Sequence, residues 1–131
     1  MDGNADGLRA LARYSKLPLE RIRYFPSAGP EVIRAIPRGV LFLMAFWSGS
    51  AVRAFAMLTE LLARLPAETL ELVVADLDGS PELYEVPEFK GNVHGSGETA
   101  WIRDGKIIAT SGRGFHPECF EPNTLALLSM R

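Results

Sequence analysis

The chain has 131 residues, 47% hydrophobic and 23% charged, enough for one domain around a single core. A formal net charge of −2 gives no basis for nucleic-acid affinity, and the single cysteine, Cys119, excludes an internal disulfide. The longest apolar run, Val40 to Trp47, falls far short of the ~20 residues of a membrane span.

The start, MDGNADG, has neither the basic nor the apolar stretch of a signal peptide, so a cytoplasmic protein without membrane insertion is expected. Charge is uneven. Residues 1–39 carry seven Lys/Arg against four Asp/Glu, and the remainder seven against twelve. A mildly basic N-terminal region on an acidic body fits a solvated surface, or a docking face for an acidic partner.

In chain order, Asp6 can cap a short helix over GLRALARYSK, with Leu8, Leu11 and Ala12 as its apolar stripe. Pro18 ends it. ERIRYF alternates as a strand with Ile22 and Tyr24 on one face. Ser27 to Pro30 opens a helix that EVIRAI continues to Pro37. VLFLMAFW is continuously apolar and suits a central strand buried on both faces. From Ser50 a helical pattern runs through Val52, Phe55, Leu58, Leu61, Leu62 and Leu65, with Thr59 among the polar residues between them. Pro66 closes it.

LELVVADL is a second buried strand ending in the turn Asp76-Leu77-Asp78-Gly79, and Ser80-Pro81-Glu82 opens a short helix. Residues 85–97 are rich in turn formers and read as an irregular loop. Asp104-Gly105 sits between two strands as the tight turn of a hairpin, with one of Trp101 and Ile102 expected in the core. A last helix, NTLALLSMR, starts at Asn123 or Thr124. The order predicts an α/β sandwich: three near-parallel strands, an antiparallel pair, and helices on both faces.

This order and these spacings resemble thioredoxin from about residue 20 onward. VLFLMAFW is similar to the family's central strand, with its tryptophan immediately before the redox motif. The helix from Ser50, the strand end Asp76-Leu77-Asp78 with Ser80-Pro81, and the hairpin at Asp104-Gly105 resemble the elements that follow. The resemblance implies a thioredoxin-like three-layer sandwich over residues 20–131, with residues 1–19 as a helical extension.

An ungapped match places the family's Cys-Gly-Pro-Cys on Ser48-Gly49-Ser50-Ala51. Its buried acid falls on Phe42, its helix proline on Ala56, and its cis-proline near Gly97 or Glu98. Disulfide exchange needs an attacking thiolate and a resolving thiol. Serine and alanine supply neither, so dithiol oxidoreductase activity is not expected, nor any cofactor.

In the thioredoxin arrangement, residues 92–98 pack beside the motif, bringing His94 and Glu98 near Ser48. Serine, histidine and carboxylate together invite a hydrolase reading, although Gly-Ser-Gly here lies in a loop and not on a nucleophile elbow. The helix start near Ser50 could instead hold an anion or a small thiol. His116 and Cys119 supply two potential metal ligands where zinc wants three or four, so no metal is expected. Phe89 and Trp101, with Phe115 and Phe120, read as packing residues. Trp47 reads equally as packing under the loop or as part of a docking surface.

The preferred expectation is a redox-inactive, chaperone-like or accessory module. It would bind another protein or a larger assembly through Trp47, Ser48, Gly49, Ser50, His94, Gly97 and Glu98. The cysteine-free thioredoxin-like chaperones of hydrogenase maturation give a precedent. Ala75-Asp76-Leu77 and Phe115-His116-Pro117 resemble that group without naming a client. The alternative is small-molecule binding or a non-redox enzyme built on Ser48 and the His94–Glu98 loop.

Overall fold

The computed structural model describes residues 3–112 and 114–130. Five strands form one sheet: β1 (Ile22–Phe25), β2 (Arg38–Met44), β3 (Glu71–Asp76), β4 (Thr99–Arg103) and β5 (Lys106–Thr110), in spatial order β1-β3-β2-β4-β5. β3 pairs in parallel with β1 and β2, while β4 runs antiparallel to β2 and β5. The helices are α1 (Gly3–Tyr14), α2 (Glu31–Arg34), α3 (Gly49–Arg64) and α4 (Phe120–Ser129). Single 3₁₀ turns span Leu19–Arg21, Pro81–Glu85 and Pro117–Cys119.

β2 is the spine of the core. Every residue from Val40 to Ala45 is fully buried, as a continuous apolar run between two covered faces should be. Alternation sends Val40 and Phe42 toward α3 and α4, where Phe42 meets Phe55 at 5.5 Å between ring centroids. Leu41 and Leu43 point to the face covered by α2. Tyr24, in register with Val74, packs over Gly7 of α1, where any Cβ would collide with its ring.

The sheet corrects one reading of the hairpin. Trp101 and Ile102 are both fully buried. They point to opposite faces, and each face has a helical cover. The Trp101 ring packs against Phe120 at 6.0 Å, and its Nε1–H donates to Thr124 Oγ1 at 3.0 Å. The turn is as expected, with Asp104 (φ 53°) and Gly105 (φ 74°) both left-handed, as a primed two-residue turn requires.

Other boundaries move for identifiable reasons. α1 starts at Gly3, so Asp6 lies inside it and pairs with Arg9 a turn later; Ala12 is exposed. α2 is only four residues long, ending at Arg34 with Ala35 as its C-cap ahead of Pro37. α3 starts at Gly49 because Ser48 caps it. Thr59 is fully buried on α3, donating to the Phe55 and Ala56 carbonyls and accepting from Lys16 N–H at 3.0 Å, which moors the segment after α1. α4 starts at Phe120, three residues before Asn123 and four before Thr124, the two expected caps, and Thr124 Oγ1 instead accepts from Trp101; Arg131 lies outside the described residues. At the far end of α4, Arg38 Nη2 reaches the carbonyl oxygens of Leu127, Leu128 and Met130 at 2.9, 2.7 and 2.8 Å. These carbonyls lie at a helix C-terminus, where a cation is favoured; that of Leu127 also accepts from the Met130 N–H at 3.2 Å.

Candidate functional site

β2 leaves the core at Ala45, and the chain turns through Phe46, Trp47 and Ser48 into α3. Ser48 holds the turn twice: its N–H donates to the Ala45 carbonyl at 3.0 Å, and its Oγ accepts from Ala51 N–H at 3.3 Å. That second bond satisfies one of the free N–H groups of the α3 N-terminus. Gly49 and Ser50 are exposed, and nothing lies within 4 Å of where a Cβ on Gly49 would sit. The surviving glycine is therefore not required sterically. Ala51 is fully buried and Ala56 half-buried.

Trp47 is 65% exposed, an unusual place for an indole. It is nevertheless fixed. Its Nε1–H donates to Asp78 Oδ2 at 2.9 Å, and its ring lies against Gly95, where a Cβ would come within 2.5 Å of it. The turn after β3 and the loop before β4 thus hold one exposed aromatic between them. At this exposure the ring lies against the loop without being buried beneath it.

The loop reaches the turn as the resemblance implied. Gly95 and Gly97 take φ of 77° and 84°, a region side chains other than glycine rarely adopt. At Gly97 a Cβ would sit 2.6 Å from Ala54 Cβ and 3.1 Å from Phe42 Cζ, so glycine permits close approach as well as the conformation. The Leu43 N–H donates to the Glu98 carbonyl at 2.9 Å, which ties the loop to β2. No cis peptide bond occurs among the described residues.

The three groups of the hydrolase reading do not assemble. The Glu98 carboxylate is buried, and both its oxygens accept from Ser96 N–H at 3.2 Å. Ser48 Oγ is committed to its cap. His94 is exposed and, among the described residues, hydrogen-bonds to neither. The loop brings the backbone of residues 94–98 to the turn without aligning a proton relay.

His116 Nδ1 lies 3.1 Å from Glu118 Oε1, an exposed local contact. Burial and the neighbouring Glu118 carboxylate push the Cys119 thiol up, away from the thiolate form that redox chemistry uses. Among the described residues no group of three His, Cys, Asp or Glu is placed to hold a metal ion.

Asp78 is the site residue that sequence patterns missed. It read only as part of a turn, and nothing local signals a bond to an indole 31 positions earlier. Asp76, two residues before it, borders a cleft of about 320 Å³ with Asp6, Gly7 and Ala10 of α1, Tyr24 of β1 and Phe46. The Tyr24 and Phe46 rings meet edge-on at 6.0 Å. Burial, and then the Asp76 charge, push the Tyr24 hydroxyl up to about 12, so it stays neutral. Burial also raises the Asp76 carboxyl above its ordinary value, more than the Asp78 and Gly79 N–H groups lower it.

The sheet order and the hairpin recur in solved structures. A structure from work on the thiol resolving mechanism of yeast mitochondrial 1-Cys peroxiredoxin matches with a TM-score of 0.62 at 21% identity, covering 81% of this chain and 95% of that one. Oxidised mitochondrial thioredoxin 3 from Saccharomyces cerevisiae gives 0.62 at 21%, covering 82% and 97%. A mutant thioredoxin from Halobacterium salinarum gives 0.64 at 11%, covering 89% and 99%. The chain has the thioredoxin fold. No family model matches it, and no curated protein matches it in sequence. Within this thioredoxin-like fold only one cysteine is present, so the dithiol couple of a thioredoxin cannot form within the chain. No described helix is long and apolar enough to cross a membrane.

Proposed function

We propose that the chain is a redox-inactive thioredoxin-like protein that binds another protein through the former active-site surface, as a chaperone-like or accessory module. One observation carries the reading: Trp47 is exposed yet held by Asp78 and Gly95. An indole with a fixed orientation offers a large contact area at little further entropy cost, which suits an interface anchor. Around it lie Ser48, Gly49, Ser50 and the loop through His94, Gly97 and Glu98, and the irregular backbone of that loop offers a partner main-chain contacts. The small-molecule and enzyme alternative gains no support from the committed Ser48 hydroxyl and the inward Glu98 carboxylate.

The test is affinity purification from the native organism with mass spectrometry, using the wild-type chain and the Trp47→Ala and Ser50→Arg variants. A partner retained by the wild type and lost from both folded variants supports the reading. A partner set unchanged by either variant, or turnover that vanishes with Ser48→Ala, removes it.

A further inference from the structure

Beside the Trp47 surface, the cleft between α1 and the ends of β1 and β3 combines three features that point to one kind of occupant. It has volume, about 320 Å³, enough to admit a long side chain and too small for a folded element. Its walls are aromatic, from Tyr24 and Phe46. Its charge comes from Asp76, whose carboxylate accepts only local backbone N–H groups and which has no cationic partner among the described residues. Asp6, the other carboxylate on the rim, is engaged by Arg9. The cleft also lies at the carboxyl ends of parallel strands, on the side where the chain passes from β1 to β2 and back to β3 between them. Open α/β sheets place ligands in that position.

We infer that this cleft receives a lysine or arginine side chain of the bound partner, with the Asp76 carboxylate as its counter-charge and the Tyr24 and Phe46 rings along its stem. The inference rests on the proposed protein-binding role and names the chemistry of the partner beside Trp47. A cation on an aromatic wall is attracted to the ring face, and its methylene stem covers apolar surface while its head reaches a carboxylate. A half-buried carboxylate whose ionised form is disfavoured by burial gains more from an arriving cation than a fully hydrated one does. Tyr24 contributes as a neutral hydroxyl and does not compete as a second anion. Asp76 ends β3 and Asp78 lies two residues on in the turn, so Asp78 fixes the anchor while Asp76 borders the cleft. A partner residue in the cleft would lie next to one on Trp47.

The test uses three capped tetrapeptides, identical except for lysine, norleucine or glutamate at one position. Each is titrated into the full chain while the ring resonances of Tyr24 and Phe46 and the Trp47 indole N–H are followed by NMR. The expected result is saturable shifts with the lysine peptide, binding about tenfold weaker with norleucine, and none with glutamate, the combined effect of one ion pair and one cation–aromatic contact. Asp76→Asn should remove the ion pair's share and weaken the lysine peptide about threefold, leaving the cation–aromatic share, while the unfolding midpoint stays within error. Equal binding of lysine and norleucine peptides, lysine binding unchanged by Asp76→Asn, or no shift with the lysine peptide each overturns the inference. Those failures leave the protein-binding reading intact if a partner still depends on Trp47; loss of that dependence defeats the reading itself.

Discussion

The two tryptophans make similar hydrogen bonds in opposite surroundings. Trp101 Nε1 donates to Thr124 at 3.0 Å inside a closed core, and Trp47 Nε1 donates to Asp78 at 2.9 Å on the surface. At Trp101 the bond offsets a cost, because a buried N–H without an acceptor loses its water for nothing. At Trp47 no such cost exists, since water would serve the N–H equally well. There the bond orients the ring, and it stabilises a surface more than it stabilises the fold. Bond length therefore does not distinguish the two tryptophans; the exposure of the group that makes the bond does.

Four substitutions grade that contrast. Trp101→Ala should be the most damaging, at about 3–5 kcal/mol of unfolding free energy, because it empties a site walled by Phe120 and Val40. Urea unfolding measures it, and a loss near 1 kcal/mol would mean that the core collapses around the gap. Thr124→Val keeps the shape and removes the acceptor, so a cost of about 1–3 kcal/mol is expected in the same assay. Gly95→Ala should cost roughly 1–2 kcal/mol through its left-handed backbone, and it should also displace the Trp47 ring, visible as a moved indole N–H resonance. Trp47→Ala should change stability by no more than about 0.5 kcal/mol while abolishing partner capture. A large destabilisation there would place Trp47 with Trp101 as a structural residue and end the comparison.

The sequence displayed the fold well where patterning is local and strong. The unbroken apolar run from Val40 gave the central strand, the three- and four-residue spacing from Ser50 gave α3, and Asp104-Gly105 gave the hairpin. It showed less where a polar side chain serves a distant element. Thr59 looked like a surface residue because its partner, Lys16 N–H, lies 43 positions away. Thr124 looked like a helix cap because Trp101 cannot be seen to claim it. At the candidate site, the proximity of residues 94–98 to the turn was legible through the fold resemblance. The direction of Glu98, the cap made by Ser48 and the bond from Trp47 to Asp78 were not, since side-chain direction depends on packing that no spacing rule encodes.

Arg38 bears on how the molecule folds and comes apart. Its contacts with the end of α4 span 89 to 92 residues, and contacts that close so long a loop form only after much of the chain is in place. Such a clamp should be missing from the folding transition state, so Arg38→Ala should leave the refolding rate unchanged in stopped-flow experiments and accelerate unfolding. An arginine at the start of the central strand would then govern the lifetime of the native state while the speed of its formation is set elsewhere.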